Sequence, residues 1–308
     1  VYNFGSAILR AVGDTKRPLY YLSAAGVINI GLNLLFVIVF RMSVAGVALA
    51  TVISETISAS LVIRCMMKEK GSIRLTPSKL RIHPKRFAEI LRIGLPASLQ
   101  GVIFAISNVI IQSSVNSFGS TVVAGNSAAS NIEGFVYVSM NSFYQGTISF
   151  TSQNVGAGKY ERVNKILFTA QACVIVTGLV LGNLAVFFGP DLLGFYTRSA
   201  AVKAAGMNRL KIICTVYALC GIMDVMVGSL RGLGYSVMPT IVSLIGACGL
   251  RLLWIFTFFR IHERFHTPQS LYLTYPVSWI ITICAHVVCF VIVRRRISRR
   301  LKTQSMAQ

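Results

Sequence analysis

The sequence predicts an all-α, polytopic membrane protein, and three observations carry that reading. Of 308 residues, 54% are hydrophobic and only 13% charged, with a mean hydropathy of +0.67, whereas soluble domains carry about 25% charged residues. Eight stretches reach the length of about 20 mostly apolar residues that a bilayer crossing needs. Finally, two segments 221 residues apart repeat one another, each lying between apolar stretches. Runs this long and this continuously apolar mean helices. In lipid the backbone must satisfy its polar groups within the segment, and barrel strands would alternate over about ten residues.

Taken in order, Val1 to about Ile8 reads as the tail of one span, and further spans fall near 19–40 and 43–63. Residues 1–63 are therefore expected to be the remnant of a first lobe: the end of its fourth helix, then its fifth and sixth. The segment RCMMKEKGSIRLTPSKLRIHPKRFAE at 64–89 is basic, contains Pro77 and Pro84, and breaks the apolar pattern, as a linker does. Residues 90–308 are expected to form a complete second lobe of six helices with a basic tail, with spans near 90–117, 127–155, 166–189, 206–229, 237–259 and 271–293. Pro96 and Pro276 are placed near helix starts, where a missing N–H costs little.

The repeat pairs ILRAVGDTKRP (8–18) with SLRGLGYSVMP (229–239). Leu9 matches Leu230, Arg10 matches Arg231, Gly13 matches Gly234 and Pro18 matches Pro239. Repeated loops in a hydrophobic chain suggest two homologous halves, a usual construction of secondary transporters. Both loops are expected to act as hinges, with Arg10 and Arg231 anchored at headgroup level. The same logic predicts an N-terminally truncated fragment of a protein with two six-helix lobes, lacking about 130–140 residues.

The formal charge of +21 raises nucleic acid as a partner, but its distribution excludes that. Alternate loops hold 22 of the 30 Lys and Arg, and the intervening loops hold five. Arg209, Lys211 and Arg251 lie within or at the ends of spans. Positive-inside bias then puts the 10–18 loop, the 64–92 linker and the C-terminus in the cytoplasm. The expected partner is the lipid bilayer, with the linker touching anionic headgroups. Seven cysteines (65, 173, 214, 220, 248, 284 and 289) are scattered in or beside the spans without metal-ligand spacing. They read as free, small apolar residues, and no metal or cofactor is expected.

Three motifs in the second half resemble the multidrug and toxic compound extrusion (MATE) family. Gly94-Leu95-Pro96 is similar to its G-x-P opening of the seventh helix. Gln153, Gly156, Ala157 and Arg162 fit its GQ-x-x-GA-x-x-x-x-R loop, with Ser152 in place of the first Gly. Leu230, Arg231, Gly232 and Gly234 match its LRG-x-G turn after the tenth helix. The resemblance runs through essentially the whole chain. It implies a monomeric secondary active antiporter that exports organic cations or other amphiphilic drugs in exchange for protons or sodium by alternating access. It also implies a multi-pass protein of a plasma membrane, with a lean towards the bacterial inner membrane. In several members an acid on the tenth helix serves a cation site, paired with a Glu on the seventh; here the seventh helix offers only Gln100, Asn108 and Gln112.

Acidic residues inside spans are expensive and mark function. Of nine Asp and Glu, three fall within predicted helices: Asp224, Glu133 and Glu55. These are the candidates for ion coupling, each with a rival structural role. Asp224 sits between Gly221 and Gly228, which allow close approach of another helix, and Arg251 is a plausible partner for it. Glu133 is placed at the opening of its helix, where it would complement the dipole. Glu55 faces either the cleft or a neighbour through Ser54 and Ser58. Gln100, Asn108, Gln112, Asn131, Tyr137, Asn141 and Tyr217 are the candidates for lining a substrate cleft, most such polar groups being interhelical hydrogen bonders. Two rival functions remain. A flippase for lipid-linked oligosaccharides would want several cations in its cleft. A membrane-embedded enzyme would want a catalytic constellation; no HExxH motif is present, and no Ser/His pair is expected within the helices.

Overall fold

A computed structural model describes residues 1–306, and helix accounts for nearly all of them, with no strand among the described residues. The chain forms two compact units, Val1–His83 and Pro84–Gln308. The break falls inside the predicted linker, which is shorter than expected because helices run into it from both sides. One continues to Lys68 and the next starts at Pro84.

The first unit contains α1 (Tyr2–Ala11), α2 (Lys16–Leu34, continuing as a π-helical turn over Leu35–Val39) and α3 (Ser43–Lys68). Leu9, Val62, Cys65 and Met66 bury one another between α1 and α3. At the loop end of this unit Arg17 donates to both Asp14 and Glu69. Burial works to raise the Asp14 pKa, but the Arg17 backbone N–H and guanidinium outweigh it and hold the carboxyl below its ordinary value. Deeper in the unit Asn33 donates to Asn29 at 2.9 Å and Asn29 donates to Ser54 at 3.1 Å, tying α2 to α3.

The second unit contains α4 (Pro84–Asn116), α5 (Ser120–Gly156), α6 (Arg162–Phe187), the short α7 (Gly189–Gly194), α8 (Ala200–Ile213), α9 (Ala218–Gly232), α10 (Val237–Ser243), α11 (Leu250–Trp254) and α12 (Pro268–Met306). The α5 helix packs along α6, α8 and α9, and α12 packs along α8 and α9. Small residues set the spacing. A Cβ on Gly125 would meet the Val202 carbonyl at 2.6 Å, and one on Gly232 would meet Thr151 Cβ at 2.6 Å, so both contacts require glycine.

Among the described residues, six helices are long and apolar enough to cross a membrane, and α8 with α9 makes a seventh, bent by 48°. The bend falls at a 3-10 turn, Cys214–Val216. The eighth predicted span is α5. Its 37 residues are ample in length, but its Asn, Ser, Thr and Gln content keeps it out of the apolar set. Two expectations change because the helices extend beyond the apolar runs. Glu133 lies well inside α5 instead of opening a helix, so it has no N-terminal dipole to complement. Pro96 and Pro276 lie inside α4 and α12. Near Pro96, the Ser236 hydroxyl donates to the Ile93 carbonyl at 2.8 Å, a usual way of satisfying backbone that proline disturbs.

The repeat is visible in the backbone. Gly13 and Gly234 have φ of +92° and +88°. Asp14 N–H bonds Leu9 O at 3.0 Å and Gly13 N–H bonds Arg10 O at 3.0 Å; Tyr235 N–H bonds Leu230 O at 3.0 Å and Gly234 N–H bonds Arg231 O at 2.9 Å. Both turns are therefore Schellman caps with glycine in the left-handed position. Pro18 and Pro239 are buried in the first turn of the following helices.

Candidate functional site

Two polar clusters occupy the interior of the second unit. In the first, Glu133 accepts both arms of Arg209: Nε donates to Oε1 and Nη2 to Oε2, each at 2.8 Å. Arg209 Nη1 donates to Asn126 Oδ1 at 2.8 Å, and Asn126 Nδ2 donates to Gln112 Oε1 at 2.9 Å. Gln112 completes the chain by donating to Asn116 at 3.0 Å. Glu133, Arg209 and Asn126 are all buried, and the Arg209 guanidinium lies 5.4 Å from the Tyr272 ring and 5.5 Å from that of Tyr275. A bidentate pair in which each guanidinium nitrogen holds a partner is a form in which a charge persists inside a membrane helix bundle.

The second cluster lines a cavity of about 240 Å³ between α4, α5 and α9. Tyr137, Asn141 and Tyr144 share one face of α5 at i, i+4 and i+7 spacing. Asp224, Val227 and Arg231 share one face of α9 at i, i+3 and i+7, and Ala97, Gln100, Gly101 and Phe104 face them from α4. Gly228 lets α9 approach closely, since a Cβ there would stand 3.0 Å from the Tyr144 carbonyl.

Arg231 departs from expectation: it enters this cavity instead of reaching for headgroups. Its Nη1 donates to Tyr144 Oη, and its Nη2 donates to Gln100 Oε1 at 2.8 Å and Thr240 Oγ1 at 3.3 Å. Its Nε is buried without a hydrogen-bond partner, and so is Asp224 Oδ2. Arg10, its repeat mate, is exposed. The anticipated Asp224–Arg251 pair is not formed. Arg251 is buried, donates from Nε to Ser278 at 2.9 Å, and lies 4.0 Å from the centre of the Tyr275 ring.

Of the predicted cleft residues, the structure brings Gln100, Tyr137 and Asn141 together with the ion-coupling candidate Asp224. Gln112 belongs to the ion-pair cluster. Tyr217 is buried against Trp279, ring centres 5.5 Å apart. Asn108 and Asn131 are exposed and distant from the cavity lining, and Glu55 is exposed on α3 of the first unit. Against expectation, a Ser/His pair lies within the helices, with Ser243 Oγ 3.1 Å from His286 Nε2. The site roles of Arg209 and Arg231 went unpredicted. For Arg231 a signal existed: it stands seven residues after Asp224, on the same helix face.

A model of the MatE family matches residues 96–257. The probable multidrug resistance protein YpnP of Bacillus subtilis (strain 168) is 31% identical over 252 residues, covering 81% of this chain and 56% of that protein. The probable multidrug resistance protein NorM of Thermotoga maritima is 24% identical over 256 residues, covering 80% and 54%. A protein of Shewanella oneidensis named FAD transporter is 23% identical over 260 residues, covering 82% and 56%. The chain thus spans about half the length of the curated relatives it matches. Among solved structures, MATE in complex with MaL6 superposes with a TM-score of 0.86 at 20% identity, over 98% of this chain and 67% of the other. The bent form of the Vibrio cholerae transporter VcmN gives 0.83 at 19%, over 96% and 66%. At such identity these structures establish the fold. With more than half of its residues inside the family model and its fold shared with solved MATE structures, the chain belongs to the MatE family, whose named relatives here are transporters and multidrug resistance proteins and not enzymes.

Proposed function

We propose that the protein is a secondary active antiporter that exports small cationic or amphiphilic organic molecules in exchange for protons or sodium. The observation that carries this reading is Asp224. Its Oδ2 is buried without a partner and without an ion pair among the described residues, in a polar cavity on a membrane helix. A carboxylate in that position is costly and marks an ion or substrate pathway, and a coupling ion and a substrate can compete for it. Glu133 is less suited to coupling, because Arg209 already occupies both of its oxygens. Glu55 is less suited for the opposite reason: it is exposed on α3, outside any cluster of groups that would gather around an ion.

The reading places the protein in the plasma membrane of a bacterium, acting as a monomer, with the coupling ion in place of any cofactor. A lipid-linked oligosaccharide flippase has less support. Of the interior cations, Arg209 is neutralised by Glu133, Arg251 lies on an aromatic ring, and Arg231 shares its cavity with a carboxylate. That is not the cationic cradle a pyrophosphate needs. The test is ethidium efflux from energised cells expressing the protein or its Asp224→Asn variant. The reading expects loss of efflux at normal membrane expression; unchanged efflux overturns Asp224 as the coupling residue.

A further inference from the structure

We propose that the α4–α5–α9 cavity selects zwitterionic amphiphiles, with Asp224 receiving a substrate ammonium and Arg231 a substrate carboxylate or comparable anionic group. The inference deepens the antiporter reading and rests on it for the role of Asp224. Its ground is a pair of opposite charges that line one cavity yet do not form an ion pair with each other. Each keeps an unpartnered buried atom, Oδ2 of Asp224 and Nε of Arg231.

Arg231 is held where it is. Tyr144, Gln100 and Thr240 bind its two terminal nitrogens, and Tyr144 is itself fixed by the close approach of its backbone to Gly228. The seven residues from Asp224 to Arg231 correspond to about 10 Å of helix rise, and the two side chains form no ion pair across it. A ligand with only a positive charge would satisfy Asp224 and leave Arg231 uncompensated beside it. A purely anionic ligand would do the reverse. A molecule bearing both signs completes both groups and adds no net charge to a membrane interior, where each unpaired charge is expensive. Ala97, Gly101, Phe104 and Val227 offer an apolar surface for a small ring between the two charges, and Tyr137 and Asn141 complete the lining with polar groups.

The probe pair is 4-(aminomethyl)benzoic acid, a rigid zwitterion, and its methyl ester, which keeps only the ammonium. Binding is measured by calorimetry to the chain in lipid nanodiscs. The acid should bind about tenfold more tightly than the ester, a difference of about 1.4 kcal/mol. Arg231→Gln should bring the acid down to the level of the ester and leave the ester unchanged. Arg231→Lys should retain part of the preference, which separates loss of charge from loss of fold, and Asp224→Asn should weaken both ligands. Equal binding of acid and ester, no binding of either, or a preference that survives Arg231→Gln overturns the proposal. Because no ion gradient is present, binding and efflux are read separately: equal binding of acid and ester overturns zwitterion selection while coupled export stands, and failure of the antiporter reading shows in the efflux assay.

Discussion

Glu133 and Arg209 show how little a residue's type says about its work until its partner is known. Both are charged, both are 6% exposed, and a lone copy of either would be among the costliest features of the bundle. Together they form a closed, bidentate pair, and its consequence is testable. Glu133→Gln leaves a buried guanidinium without its counter-charge and should destabilise the second unit by about 3–5 kcal/mol, as breaking a buried pair generally does. Thermal unfolding in detergent reads this, and Glu133→Gln combined with Arg209→Met should recover much of the loss. Asp224 is the opposite case, an acid whose unsatisfied oxygen makes it available to a ligand. The acids are legible in the sequence as candidates, because intramembrane carboxylates are rare. Their sorting is not, because Arg209 lies 76 residues from Glu133 and no local periodicity links them.

At the scale of elements, the spans are legible because lipid demands long apolar runs, and their centres fall inside the observed helices except for the 206–229 span, whose middle is the bend between α8 and α9. The ends are not. Charged and polar residues continue α3, α4 and α12 well past their apolar stretches, and polar residues open α5 ahead of its own. This moves Glu133, Pro96 and Pro276 from predicted helix starts to helix interiors. The repeated turns are recognisable from four identities, and the backbone gives the reason for one of them. Gly234 at φ +88° closes a Schellman cap, so Gly234→Ala should cost about 1–2 kcal/mol. By contrast Gly26 lies inside α2, and a Cβ added there would have nothing within 4 Å. Gly26→Ala should therefore gain about 0.5–1 kcal/mol. Unfolding midpoints of the two variants, shifted in opposite directions, check both.

For the whole molecule, the long helix that is not apolar enough to count as a span is also the one at the centre of its unit. The α5 helix contributes Asn126 and Glu133 to one cluster and Tyr137, Asn141 and Tyr144 to the other, and this is why it fails as a span by composition. That has a consequence for biogenesis. On leaving the ribosome α5 has no favourable reason to enter lipid alone, since its carboxylate waits for a guanidinium 76 residues downstream. At about 5–20 residues per second that wait lasts about 4–15 s, during which α5 must shelter at the insertion machinery or against its neighbours α4 and α6. Nascent chains arrested before Arg209 should therefore leave α5 open to a water-soluble thiol reagent at Ala129→Cys, a position buried in the folded unit, and chains arrested after α9 should protect it. Equal protection at every length would mean that α5 enters the bilayer unaided.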